Sequence, residues 1–267
     1  MMLTIFTPVF NRAYIIDALY KSLCAQTSKD FEWLVVDDGS SDNIKEVMDR
    51  FMADGKIHIR FFSQSNGGKH RAINHGLQLA RGDLFFIVDS DDALEYIAVE
   101  RIKRYSALVK DDCIGLCFHK CYMDRGIIGN PFPKKEMLST SLEMTYRYDV
   151  KGDRAEVFRT EVLRRFQFPT FRNENFVPEA LIWNRLSVKY KLLFVDKAIY
   201  LCEYLPDGLT ANFKKNLQRN PNGFGLYYRE LLGYKIVPLW TKLKALIRVF
   251  QCCFYSKCKV NFNNFCR

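Results

Sequence analysis

Leu84-Phe85-Phe86-Ile87-Val88-Asp89-Ser90-Asp91-Asp92 joins an unbroken apolar run to three carboxylates. The run reads as a strand, and the carboxylates fall where that rigid rail leaves the core. In open α/β sheets, ligands bind outside the carboxyl ends of the strands. Hard oxygen donors gathered there suit magnesium or manganese holding a phosphate. A second run, Leu34-Val35-Val36, ends the same way in Asp37-Asp38. The chain therefore reads as a protein that binds a nucleoside diphosphate through a metal ion.

Outward from this stretch, strands and helices alternate. Residues 3–7 predict a first strand stopped by Pro8. Residues 13–25 predict an amphipathic helix, with Ile15, Ile16, Leu19 and Leu23 at helical spacing. A second strand spans 31–36. The turn Asp37-Asp38-Gly39-Ser40-Ser41-Asp42 then offers N-caps to a helix reaching Met52. A third strand at 57–62 is broken by Asn66-Gly67-Gly68, and a helix over 69–80 is closed by Arg81-Gly82-Asp83. Strands separated by a dozen helical residues imply right-handed crossovers and a largely parallel sheet. Beyond Asp92 the pattern loosens. It predicts a helix at 95–108, a strand at 114–121, turns over 126–133, and short strands with a helix at 179–190. The expected architecture is an α/β domain over 1–210, its mostly parallel sheet flanked by helices, and a C-terminal helical extension over 211–267.

Composition narrows the class. The 267 residues are 48% hydrophobic and 15% aromatic, which excludes a disordered chain. A net charge of +10 first suggests nucleic acid or anionic lipid. Its distribution decides more than its size. No acid follows Glu230, whereas Lys235, Lys242, Lys244, Arg248, Lys257, Lys259 and Arg267 do. In the same tail Ile236, Trp240, Leu243, Ile247, Phe250 and Phe254 recur at steps of four and three, making an apolar stripe. Pro238 suits an early position of that helix. The stripe reads either as an interfacial anchor for anionic lipid or as a face packed on protein. No eighteen-residue apolar run occurs, so no spanning helix is predicted. Residues 1–10 lack a basic region and a small-residue cleavage site, so the nine cysteines read as free thiols in a cytoplasmic protein. Cys113, Cys117 and Cys121 lack the closer C-x-x-C spacing of zinc sites and read as small hydrophobes.

Several clusters carry chemistry. Asp89 and Asp91 are alternate residues, so both can reach one divalent ion; Asp92 instead suits a helix cap. A carboxylate at Asp37-Asp38 can accept a hydrogen bond from the N3–H of uracil, though Asp37 can instead cap a helix. Phe10 offers a ring for stacking or for the core. Asn66-Gly67-Gly68-Lys69 sets glycine backbone and a cation at a helix start, where anions are favoured. Glu179, after Pro178, opens an apolar-periodic helix; it reads as a general base or as a partner of the helix dipole, with Glu174 as competitor.

Thr7-Pro8-Val9-Phe10-Asn11-Arg12, Val35-Val36-Asp37-Asp38-Gly39-Ser40-Ser41-Asp42, Asn66-Gly67-Gly68-Lys69-His70, Ala80-Arg81-Gly82-Asp83 and Asp89-Ser90-Asp91-Asp92 stand in the order seen in family 2 glycosyltransferases. The resemblance covers roughly residues 2–210. It implies the GT-A fold, a nucleotide-sugar donor and transfer with inversion, of the kind used in bacterial surface-polysaccharide assembly. It also implies that Asp89-Ser90-Asp91 is the D-x-D motif, with Asp91 on the metal and Asp89 near the ribose or metal. Thr7, Pro8, Phe10, Asp37, Asp38, Gly68, Lys69 and Asp89 would hold the nucleotide sugar, with Asp38 on the base. Glu179 would be the catalytic base, although the Glu-Asp pair common there in the family is Glu179-Ala180 in this chain.

The expected function is thus a manganese- or magnesium-dependent transferase moving a sugar from a nucleotide donor, UDP-linked, to a saccharide or lipid-linked hydroxyl. Peripheral contact with the inner membrane's cytoplasmic face would suit its tail. A nucleotidyltransferase is the enzymatic alternative, but Pro8-Val9-Phe10-Asn11 replaces the glycine-rich loop it needs after the first strand. A nucleic-acid-binding module ranks last, because the positive charge lies in an apolar tail.

Overall fold

The computed structural model describes residues 2–109, 113–202 and 213–265, with side chains described as far as Lys257. The expected boundary at 210/211 and the side chains of Lys259 and Arg267 lie outside the described residues. The first half follows the predicted alternation: β1 (Leu3–Val9), α1 (Asp17–Cys24), β2 (Phe31–Asp37), α2 (Ile44–Asp54), β3 (Ile59–Ser63), α3 (Lys69–Leu79) and β4 (Leu84–Ile87). These four strands are parallel neighbours in the order β3-β2-β1-β4.

Pro8 does not stop β1, contrary to expectation. It pairs in register with Val36, while β4 pairs with β1 only as far as Phe6↔Ile87. The Phe6 carbonyl accepts from Val88 on the β4 side, so Pro8, two residues on, turns its missing N–H to a side where no strand remains.

The second half comprises β5 (Ala93–Leu94), α4 (Ala98–Ser106), β6 (Cys113–Tyr122), β7 (Glu136–Ser139), α5 (Ser141–Tyr146), β8 (Arg154–Arg159), α6 (Thr160–Leu163), α7 (Ala180–Ser187) and β9 (Lys191–Cys202). β8 enters antiparallel between β4 and β6, and β9 runs parallel to β6. β9 also pairs antiparallel with β5 and β7, completing a mixed nine-stranded sheet. Residues 93–94 are held by β9, which delays the predicted 95–108 helix to Ala98. The sheet is covered on both faces. One apolar cluster gathers Leu19, Leu23, Trp33, Met48 and Val157; the other gathers Phe6, Ile73, Phe85, Phe158 and Leu181. Full burial of each such side chain stabilises the fold by about 1.5–3 kcal/mol.

The chain ends in α8 (Phe213–Arg219), α9 (Pro221–Gly233) and α10 (Leu239–Phe265). Arg185 grips Glu230 with two hydrogen bonds, 2.9 and 2.6 Å, tying α9 to α7. α10 lies on α9 through buried Ala245 and Cys252, which meet Leu231 and Phe224 respectively. The predicted stripe faces the other way: Trp240 is 68% exposed and Phe250 66%. No helix among the described residues is long and apolar enough to cross a membrane.

Candidate active site

Three elements meet over the carboxyl end of β4. The turn after it supplies Asp89, Asp91 and Asp92, the first residue of α3 supplies Lys69, and the N-cap of α7 supplies Glu179. Lys69 Nζ lies 2.5 Å from Asp89 Oδ1 and 2.8 Å from Glu179 Oε1, so one ammonium joins residues ninety positions apart in sequence. Burial opposes the Lys69 charge, but the two carboxylates outweigh it and hold its pKa well above the ordinary value. Burial likewise opposes the Asp89 charge, yet Lys69 and Lys120 keep that carboxyl below the usual range.

The turn itself is set by β9. The Tyr200 hydroxyl donates to Asp92 Oδ2 at 2.7 Å and accepts from the Asp89 backbone N–H at 2.9 Å. Asp92 therefore braces the turn; it does not cap a helix. Burial, with the nearby Asp89 charge, pushes its carboxyl up to about 7. The Lys120 ammonium from β6 sits 3.9 Å from the centre of the Tyr200 ring, a cation–π contact that brings positive charge behind Asp89. Glu156 on β8 is pushed up to about 7 by burial, against the pull of Arg154 and Lys120.

The Asp38 side of the cleft has a different design. Asp38 is 3% exposed and accepts four hydrogen bonds: Gln64 Nε2 at 2.7 Å, Asn66 Nδ2 at 3.3 Å, Gly67 N at 2.9 Å and Gly68 N at 2.6 Å. A base N–H reaching this carboxylate would have to displace one of them. Asp38 thus staples the loop that starts α3, and the Gly67 and Gly68 amides point at it. Gly68 has φ of +92°, and a Cβ there would meet the Asn175 carbonyl at 1.7 Å, so only glycine fits between loop and neighbour. Asp37 Oδ1 accepts from Ser40 N at 2.9 Å and closes its own turn. Thr7 is fully buried, its hydroxyl accepting from Trp33 Nε1 at 3.0 Å, and lies beneath the cleft. Pro8 is half-buried, and Phe10 is 48% exposed, outside the core, with a ring available for stacking. Asn11 knits this strand end to the Asp38 turn, donating from its N–H to Ser40 Oγ and accepting from Ser41 N.

The two glutamates separate cleanly. Glu174 is buried and caps α9, accepting from Asn222 N, Asn222 Nδ2 and Gly223 N at 2.8–2.9 Å. Glu179 is partly exposed and stands in the cleft on Lys69. Lys120, Glu156 and Tyr200 were not among the residues expected from sequence. A lysine inside an otherwise apolar strand, Gly115-Leu116-Cys117-Phe118-His119-Lys120, was the one signal for them.

Among the described residues, no three His, Cys, Asp or Glu side chains form a ready-made metal cage. The donors still fit a hard divalent ion of the kind bound by one or two carboxylates plus phosphate oxygens. Burial and the adjacent Asp89 raise the Asp91 pKa, a repulsion that a bound cation relieves.

This sheet has the GT-A type of fold. The sequence pattern of glycosyl transferase family 2 matches residues 4–164, more than half of the chain. The chain belongs to this family. It is 27% identical over 238 residues to the GalNAc(5)-diNAcBac-PP-undecaprenol beta-1,3-glucosyltransferase of Campylobacter jejuni, covering 87% of this chain and 71% of that protein. The S. aureus TarS structure with UDP-GlcNAc superposes with a TM-score of 0.68 at 19% identity, covering 95% and 73% of the two chains. The mannosyltransferase PcManGT from Pyrobaculum calidifontis, with GDP-Man and Mn2+, gives 0.61 at 15% identity, covering 98% and 79%. The chain spans 42% of the length of one curated relative and 34% of another.

Proposed function

We propose that this protein transfers a sugar, with inversion, from a UDP-sugar to a hydroxyl of a saccharide or lipid-linked acceptor in polysaccharide or lipopolysaccharide assembly. The observation that carries the proposal is the Asp89–Lys69–Glu179 bridge, which sets a diphosphate-side carboxylate, a cation and a candidate base around one cleft. The names of relatives support the donor and acceptor classes: one structure holds UDP-GlcNAc, and one homologue is a glucosyltransferase named for an undecaprenol-linked saccharide.

In this reading the nucleoside rests between Phe10 and the Asp38-stapled loop, whose shape Gly67 and Gly68 set. Asp91, with Asp89, would hold the divalent ion, which would supply Lewis-acid neutralisation of charge on the departing UDP. Lys69 exchanges a carboxylate for a phosphate oxygen when the donor enters, and its departure frees Glu179. The acceptor hydroxyl attacks the anomeric carbon opposite the diphosphate. Its proton passes to Glu179, and the sugar–phosphate bond breaks with its electron pair leaving on UDP. Lys120 and Tyr200 hold the turn in place. A lipid-linked acceptor would put the reaction at a membrane surface, the cytoplasmic face being the one expected from sequence.

The test is a panel of nucleotide sugars with manganese, read by thermal shift and followed by transfer assays with anomeric assignment of the product by NMR. A UDP-sugar should raise Tm and give an inverted linkage. Failure of every UDP-sugar to bind, or a product of retained configuration, would overturn the proposal.

A further inference from the structure

The sequence leaves the tail's apolar stripe two destinations, and in the structure the stripe is exposed. Successive helical residues turn by about 100°, so Trp240, Leu243, Ile247, Phe250 and Phe254 fall within about 80° of one another on α10. All five are exposed. Ala245 and Cys252, about 180° away, are the residues buried on α9. The helix is thus held by its small-residue face and presents its large apolar face outward, the reverse of what a core-facing helix does.

Charge identifies the occupant. Lys242 and Lys244 flank the stripe on its two sides, and Lys244 lies over the Trp240 ring at 5.6 Å. α9 and α10 carry a single acid, Glu230, already held by Arg185. Where α10 meets α9, a cavity of about 370 Å³ is lined by Leu226, Val249 and Cys253 with two further cations, Arg229 and Lys257. Aromatic and aliphatic side chains bordered by cations with no acidic partner among the described residues match the boundary between anionic headgroups and acyl chains.

We propose that the outer face of α10 docks on an anionic phospholipid surface. This goes beyond the sugar-transfer reading and stands without it. The geometry also fixes how the cleft meets that surface. Glu174 caps α9, and Asn220 Oδ1 accepts from Asn175 N and Phe176 N, so α9 and α10 are bolted to the segment leading into Glu179.

Flotation of the full chain with vesicles of phosphatidylcholine, alone or mixed with phosphatidylglycerol, tests the proposal. The chain should float with the mixed vesicles, less so as salt rises, with a blue shift of Trp240 emission that Trp240→Phe removes. The double variant Ile247→Ser, Phe250→Ser changes only exposed side chains, so it should keep its melting curve and UDP affinity and lose at least about tenfold in bound fraction. Flotation of that variant at the wild-type level, or no flotation of the wild type, overturns the proposal. So does a dimer in sedimentation equilibrium that the double variant dissolves while lipid binding is absent, which would make a second copy the occupant. UDP affinity is read in the same samples, so loss of the donor reading and loss of the lipid reading are told apart.

Discussion

The Lys69 ammonium lies 2.8 Å from the Glu179 carboxylate while its other side is bound by Asp89 at 2.5 Å. A cation placed there serves a diphosphate only if it can leave one carboxylate for a phosphate oxygen. Lys69→Met should therefore weaken UDP binding by about ten- to a hundredfold, the range of a lost charge-assisted hydrogen bond. Calorimetric titration with UDP checks this, and unchanged affinity would show that Lys69 serves only to hold the two carboxylates.

Glu179 and Glu174 should fail in different assays. Glu179→Gln should leave UDP affinity near wild type and slow transfer by about 10²–10⁴-fold. Glu174→Ala removes the acceptor for three hydrogen bonds at the start of α9. It should cost about 1–3 kcal/mol of stability, seen as a lower Tm, with turnover kept well below that temperature.

Asp91→Asn keeps the shape of the turn and removes the charge whose pKa burial and Asp89 raise. UDP titrations with and without manganese should then coincide, whereas the wild type should bind more tightly with the ion. A manganese effect that persists in the variant would move the ion to Asp89.

His70 gives a pH signature in stability. Its ring is buried, and burial, with Arg71 beside it, pushes its pKa down to about 4 against a backbone contact with Asn175 that acts the other way. An unfolded histidine titrates near 6.5, so between about pH 4 and 6.5 the unfolded chain binds a proton that the native chain refuses. Stability therefore falls as pH drops through that window, by about 3 kcal/mol in full. His70→Leu should remove this part of the slope. Urea midpoints of both proteins at pH 7 and pH 4.5 measure it as the change in their difference.

Much of the first half was legible because its contacts are local in order. β1, β2, β3 and β4 are joined by single helices, and the apolar runs of β1, β2 and β4 bury on both faces while the edge strand β3 is only partly buried. The boundaries that slipped are those where a partner decides: Pro8 continues β1 because β4 has ended beside it, and 93–94 form a strand because β9 lies there. In the site, Asp89, Lys69 and Glu179 could be named from motif and helix position. Their union through one ammonium was not legible, because α7 reaches α3 only after β8 and β9 are in the sheet. Asp38 shows the converse. A carboxylate at a strand end reads as open to ligand, yet the loop thirty residues on supplies four donors to it. Tyr200 carries no local mark, since its role comes from register with Leu94 across the sheet.

That register has a consequence for the order in which the protein becomes competent. Asp89 and Asp92 are made early in the chain, but the hydroxyl that fixes their turn belongs to a strand more than a hundred residues later. A chain emerging from the ribosome can assemble β1 to β4 and still lack a settled Asp89–Asp92 turn until Lys191–Cys202 joins β6, β7 and β5. A chain that lacks Lys191–Cys202 would carry Asp89, Asp92 and Glu179 without the Tyr200 hydroxyl that joins the turn.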